Sequence, residues 1–218
     1  MKLDRTSIFT INSERSLSTE IMGDYSRMKY GDPRATRLLG SMLYAKFISY
    51  CGSNFDVSQS DGIILTSSAF GSVPTAAHAL TNEFGLMLKS KEVNFDRVRI
   101  TRSQNVADKD YSKLDYVQRG NEMNVRRLTL SDRYIDKLNG RPLVVIDDLY
   151  ATGRHEQAIV DLLRSVAPDQ RVLFIYIFEF SQMLSRSNPM IEDFFNGYLI
   201  KELRDYIDLY REEALTPY

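Results

Sequence analysis

The sequence predicts an α/β protein built on a parallel sheet with helices on both faces. Three observations carry this expectation. Residues 143–146 (LVVI) and the run VLFIYIFEF within Arg171–Phe180 are unbroken stretches of the kind that form strands buried on both sides. Between them, Ala158, Ile159, Leu162, Leu163 and Val166 recur at helical spacing. Upstream, residues 63–66 and a helical pattern over 74–88 repeat the alternation, which favours parallel strands joined by crossovers.

A chain of 218 residues is long enough for one α/β domain with a substantial core and short for two. A formal net charge of −1 gives no electrostatic argument for nucleic acid or an anionic membrane. Cys51 is the only cysteine, which excludes an internal disulfide and a cysteine-based zinc cluster. No apolar run is long enough to span a bilayer, and MKLDRTSIFTINSERS lacks the apolar core of a signal peptide, so the expected location is the cytoplasm. The expected organisation is an extension over residues 1–20 and a single domain over 21–218.

Taken in order, the first segment is polar and Ser/Thr-rich apart from Ile8, Phe9 and Ile11, with room for a short edge strand. YSRMKYGD follows, and Asp32-Pro33 is a helix start, with Leu38, Leu39, Met42, Leu43 and Phe47 at helical spacing as far as Tyr50. Asp61-Gly62 is a turn signal ahead of the strand at 63–66. SSAFGSVPTAAHAL is then a loop of small residues running into the helix at 74–88, leaving backbone amides uncovered near a helix N-terminus. His78 on that helix reads as a packed or surface residue rather than a catalytic one.

Residues 95–101 read as one strand with Arg97 and Arg99 alternating on a polar face near the sheet edge. Residues 102–131 are strongly polar with no sustained apolar period, either a solvated connector or a functional loop. Beyond Phe180, residues 186–218 carry Ile191, Phe194, Phe195, Leu199, Leu203, Ile207 and Tyr210 at spacings that fit C-terminal helices packed on the domain or on a partner, such as a second copy in a homodimer.

The most informative stretch is LVVIDDLYATGRHEQAIVDLLRSV. A strand that ends in carboxylates and turns through Gly153 into a helix suits a sugar phosphate. The turn's N–H groups and the helix dipole face the anion, and the carboxylates accept from hydroxyls. Asp-Asp after a strand, taken alone, is more often a solvated loop than a site. The full arrangement DDLYATG resembles the phosphoribosyl pyrophosphate (PRPP) motif of type I phosphoribosyltransferases. The resemblance implies a Rossmann-like phosphoribosyltransferase fold with a C-terminal helical hood.

It implies that Asp147 and Asp148 hold the ribose hydroxyls as the catalytic pair and contact Mg²⁺ mostly indirectly. Ala151, Thr152, Gly153, Arg154 and His155 would wrap the 5′-phosphate. By the same resemblance, Ser67, Ser68, Ala69, Phe70 and Gly71 form the pyrophosphate loop, and 102–131 a lid that closes over substrate. The usual ending is Thr-Gly-Gly-Thr or Thr-Gly-Gly-Ser. Here Thr152-Gly153-Arg154-His155-Glu156 stands instead, and is similar to a phosphoribosyltransferase-like branch of bacterial stress-response and tellurium-resistance operons. Arg154 either contacts phosphate or points to solvent. Glu156 suits the helix dipole with no catalytic task.

The expectation is a Mg²⁺-dependent, PRPP-using pentosyltransferase that releases pyrophosphate, its acceptor unnamed by any residue pattern. Two others stand beside it: a PRPP- or nucleotide-binding regulator without turnover, and a hydrolase of a nucleotide's glycosidic bond.

Overall fold

The computed structural model describes residues 1–12, 19–52, 62–68, 75–102, 128–138 and 140–181. In chain order the elements are β1 (Lys2–Ile11), α1 (Thr19–Lys29), α2 (Pro33–Cys51), β2 (Ile63–Ser67), α3 (Ala76–Ser90), β3 (Phe95–Arg97), β4 (Ile100–Arg102), β5 (Leu128–Leu130), α4 (Asp132–Leu138), β6 (Leu143–Tyr150), α5 (Arg154–Val166) and β7 (Arg171–Phe180). Among the described residues, five strands form one parallel sheet in the order β1-β7-β6-β2-β3, and β4 and β5 pair antiparallel as a separate ribbon.

The central strands are apolar because both faces are covered. Ile63, Leu65, Val144, Ile146, Leu173 and Ile175 share one core with buried residues of α1, α2 and α3. Their alternate neighbours Ile64, Leu143, Val145, Val172, Phe174 and Tyr176 share the other with α4 and α5. This is the period of two that a pleated strand imposes. It lapses at the end of β7, where Ile177 and Phe178 both belong to the first core.

From β2 the chain crosses by α3 to β3 on one side. From β6 it crosses by α5, on the other face, to β7 on the opposite side. The winding reverses between β2 and β6. Open α/β sheets form a crevice at such a point, outside the C-terminal ends of the strands.

Local chemistry explains the element ends. Asp32 caps α2, accepting from the amides of Arg34 at 2.7 Å and Ala35 at 3.2 Å, with Pro33 at the first helical position where no N–H is needed. Thr75 caps α3 through the His78 amide, so that helix starts at Ala76, two residues later than the sequence pattern suggests. Gly62 enters β2 at φ +102, with the Asn94 carbonyl group packed where a side chain would stand. Gly62→Ala is expected to cost about 2–4 kcal/mol, from a left-handed backbone and an overpacked contact together. Denaturant unfolding should show a lower midpoint with an unchanged slope.

Four sequence expectations need correction. Residues 1–12 hold a ten-residue strand aligned with the whole of β7, longer than the short edge strand expected. The segment before α2 is itself a helix, α1. Residues 95–101 are not one strand: Val98 turns inward, its amide bonded to Leu65 O at 3.1 Å, so β3 stays with the main sheet and β4 leaves it. The segment 102–131 is not irregular throughout, since Leu128–Leu130 pairs with Ile100–Arg102. Residues 103–127, the body of the expected lid, and the expected helices at 186–218 lie outside the described residues. None of the described helices is long and apolar enough to cross a membrane.

Candidate functional site

β6 runs past its aliphatic stretch through the acidic pair to Tyr150. Asp147 and Asp148 are therefore the C-terminal part of a central strand, not a loop after it, and each is 8% exposed. Two carboxylates this deep need partners, because a desolvated charge is costly. Asp147 Oδ1 accepts the Asp148 amide at 2.9 Å, and its Oδ2 lies 3.4 Å from His155 Nδ1. Asp148 Oδ2 accepts the Tyr25 hydroxyl at 2.8 Å and forms an ion pair with Lys29. Three of the four carboxylate oxygens thus have a donor within the chain.

The two acids respond oppositely to this burial. Burial pushes the Asp147 carboxyl above the usual range, and its charged neighbour Asp148 pushes the same way, with His155 only partly offsetting them. Burial also acts upward on Asp148. There the Lys29 charge, with bonds from Lys29 and Tyr25, overcomes it and holds the carboxyl down at about 2. The pair is asymmetric, with Asp148 the firmly ionised member.

Tyr25 and Lys29 are the residues that sequence reasoning missed. They stand four apart on α1, hence on one helix face, and they reach an acid 123 positions away in the case of Tyr25. Tyr25 is fully buried and meets Phe178 edge-on at 4.9 Å, which fixes its hydroxyl over the end of β6. The available signal was a lysine following Met22, Tyr25 and Met28, which mark an apolar helical face.

The turn after the acids is positioned from beneath. Gly153 takes the left-handed conformation, φ +73, and precedes α5 with no side-chain cap on the helix. A glycine at this position puts no side chain over the helix N-terminus, the end whose dipole favours an anion. Tyr150 packs under this glycine, with its ring below the Arg5 guanidinium at 3.9 Å from the centroid. Glu156 does more than suit the helix dipole: it accepts the Tyr176 hydroxyl at 3.0 Å and lies 3.9 Å from Arg5, which ties the start of α5 to β7 and β1. Ala151, Thr152, Arg154 and His155 are all half-buried around this turn.

On the other side of the crevice, Ser67 is in register with Ile146, and the Ser68 amide donates to Ile146 O at 3.0 Å. The start of the expected pyrophosphate loop therefore lies beside the strand that carries the acids. Ala69, Phe70 and Gly71 lie outside the described residues. The Ser67 hydroxyl is fully buried and has no hydrogen-bond partner among the described residues. It borders a cavity of about 190 Å³ whose wall also includes Arg97, Arg99 and His78. His78 is a packed residue, its ring 3.2 Å from Asn82, and burial with the two arginines lowers its pKa.

A parallel sheet wound in both directions, with polar groups gathered at its reversal point, defines an α/β protein of the Rossmann-like class. A family model described as PRTase ComF-like matches residues 3–216, so the chain belongs to the ComF-like phosphoribosyltransferase family. No curated protein matches the chain. Among solved structures, a Leishmania donovani hypoxanthine-guanine phosphoribosyltransferase is similar at 11% identity and a TM-score of 0.44, over 71% of this chain and 77% of that one. A Trypanosoma cruzi hypoxanthine phosphoribosyltransferase variant complexed with IMP is similar at 13% identity and a TM-score of 0.41, over 67% and 65% of the two chains. A Staphylococcus aureus hypoxanthine phosphoribosyltransferase is similar at 11% identity and a TM-score of 0.35, over 77% and 68%.

Proposed function

We propose that this chain is a phosphoribosyltransferase that uses PRPP and releases pyrophosphate. One observation carries the reading: the acidic pair, the left-handed turn at Gly153 that opens a helix and the Ser67–Ser68 strand end all gather at the crevice where the sheet reverses its winding. In this reading Asp147 and Asp148 accept from the ribose 2′- and 3′-hydroxyls, while Ala151, Thr152, Gly153, Arg154 and His155 enclose the 5′-phosphate. Ser67 and Ser68, with Ala69, Phe70 and Gly71, receive the pyrophosphate.

The chemistry is displacement at C1 of the ribose: the acceptor forms a bond to C1 as the C1–O bond to pyrophosphate breaks. Positive charge builds on the ring and negative charge on the leaving group, so groups fixed in place beforehand lower the barrier. The buried carboxylates supply the negative field, Asp148 remaining ionised even in acid. Arg97 and Arg99, on the cavity wall beside Ser67, supply the positive one. His155, at hydrogen-bond reach of Asp147, is placed to link the hydroxyl and phosphate ends of the ligand.

Mg²⁺ is part of the resemblance, but the acidic pair suits it poorly. Mg²⁺ requires a near-octahedral set of oxygens. Here three of four carboxylate oxygens already have donors, and among the described residues no group of three or more His, Cys, Asp or Glu side chains converges.

The test is pyrophosphate release from PRPP with a panel of bases and amines. Release with one acceptor class, lost in Asp147→Asn, is the expected result. The prior engagement of the acids and the Arg154-His155 departure favour a second reading, a PRPP-binding regulator. Saturable PRPP binding with no release for any acceptor would establish that one instead. Absence of PRPP binding would overturn both.

A further inference from the structure

We infer that the Lys29 ammonium is the resident cation of the acidic pair, in the position a divalent ion would otherwise take, so that a sugar phosphate binds here without a divalent cation. The inference rests on the sugar-phosphate reading of the crevice. It begins with a charge problem. Asp147 and Asp148 are adjacent and buried, and a sugar phosphate would bring further negative charge to the same place. Some cation must offset this.

The chain supplies one itself. Lys29 forms an ion pair with Asp148 Oδ2, and the Tyr25 hydroxyl donates to that same oxygen at 2.8 Å. The arrangement is rigid at its base: Tyr25 is fully buried against Phe178, and Lys29 follows one helical turn later with its ammonium 5.6 Å from the Tyr25 ring centroid. A divalent ion binding Asp148 through this oxygen would have to displace two donors. It would also place a double charge beside an ammonium. The Lys29 side chain is 34% exposed, so a ligand oxygen can approach the ammonium from the solvent side. An ammonium carries three N–H donors and can serve Asp148 and a ligand oxygen together. The cation is thus held by α1 and belongs to the fold.

The experiment uses the full chain in two measurements. First, Mn²⁺ is titrated calorimetrically into ligand-free wild type, Lys29→Met and Lys29→Arg. Saturable binding is expected only in Lys29→Met, where the position is vacated. Second, ribose 5-phosphate is titrated in EDTA and in Mg²⁺; it avoids the Mg²⁺ chelation by the pyrophosphate of PRPP. Wild-type affinity should change less than about 2-fold between the two, whereas Lys29→Met should weaken at least ~10-fold in EDTA and recover in Mg²⁺.

Saturable Mn²⁺ binding by wild type, or loss of its ribose 5-phosphate binding in EDTA, would overturn the inference, and both are read on wild type even if Lys29→Met fails to fold. An unchanged Lys29→Met would overturn it as well. If ribose 5-phosphate binds no variant while the Mn²⁺ pattern holds, the cation position stands and the sugar-phosphate reading fails.

Discussion

Asp147→Asn is expected to melt higher than wild type while losing at least ~100-fold in sugar-phosphate affinity, on the order of 3 kcal/mol. The two effects share one cause. Burial and the neighbouring Asp148 raise the Asp147 pKa in the folded state, so keeping this carboxyl ionised opposes folding at neutral pH. Asparagine keeps the shape and the oxygen that accepts the Asp148 amide, and removes the charge. In a chain of this size each kcal/mol relieved appears as roughly 2–4 °C of melting temperature. The gain has a defined pH window. As pH falls through the raised folded pKa, the wild-type carboxyl becomes neutral too, and the advantage of asparagine disappears. Asp148 has the opposite sign. Its folded pKa near 2 is below the unfolded value, so its stabilisation is present above the unfolded pKa and is lost as pH falls toward 2. Scanning calorimetry from acid to neutral pH checks both. An Asp147→Asn protein that melts lower than wild type at pH 7 would refute the strain assigned to this residue.

Gly153→Ala is expected to lose about 1–2 kcal/mol of stability from the left-handed backbone alone, and more from a contact beneath it. An alanine Cβ would stand 2.6 Å from the Tyr150 hydroxyl and 3.0 Å from the ring carbon that bears it. Tyr150 has little freedom to withdraw, lying under Arg5 and edge-on to Tyr176 at 5.4 Å. The turn itself must shift, carrying the first amides of α5 out of line, and phosphate-ligand affinity should fall ~10-fold or more. Tyr150→Phe removes the hydroxyl and should restore part of the stability in the Gly153→Ala background. A double-mutant cycle by denaturant unfolding measures the coupling, and zero coupling would show that backbone conformation alone sets the glycine.

The sequence was most legible where one local rule acted alone. The strands at Leu143–Tyr150 and Arg171–Phe180 declare themselves because burial on both faces demands the unbroken apolar runs Leu143–Ile146 and Val172–Phe178. Asp32-Pro33 and Asp61-Gly62 were readable because capping and positive φ restrict residue choice locally. The crevice was half legible: Asp147, Asp148 and the turn through Gly153 are contiguous, and the structure places them together. The partners of the acids were not legible, since Tyr25 and Lys29 come from a helix whose tie to β6 is purely tertiary. The break between Arg97 and Ile100 was hidden for a related reason. Alternating arginines give the same pattern in one strand as in two short strands that belong to different sheets.

The parallel pairing of β1 with β7 also bears on how the chain is made. Lys2 lies opposite Arg171 and Ile11 opposite Phe180, so β1 is made well before β7, which among the described residues is its one main-sheet neighbour and follows about 170 residues later. At typical elongation rates of about 5–20 residues per second, β1 waits on the order of 10–30 s for that neighbour. Until β7 is made, the backbone groups of RTSIFTI lack that partner, and an unpaired strand edge can template pairing with a second nascent chain. Arg5 and Ser7, which later face Glu156 and Glu179, place a charge and a hydroxyl within that segment. The polar groups that end up bracing the crevice thus also interrupt the apolar run of that waiting edge, as charged residues do on exposed strand edges in general.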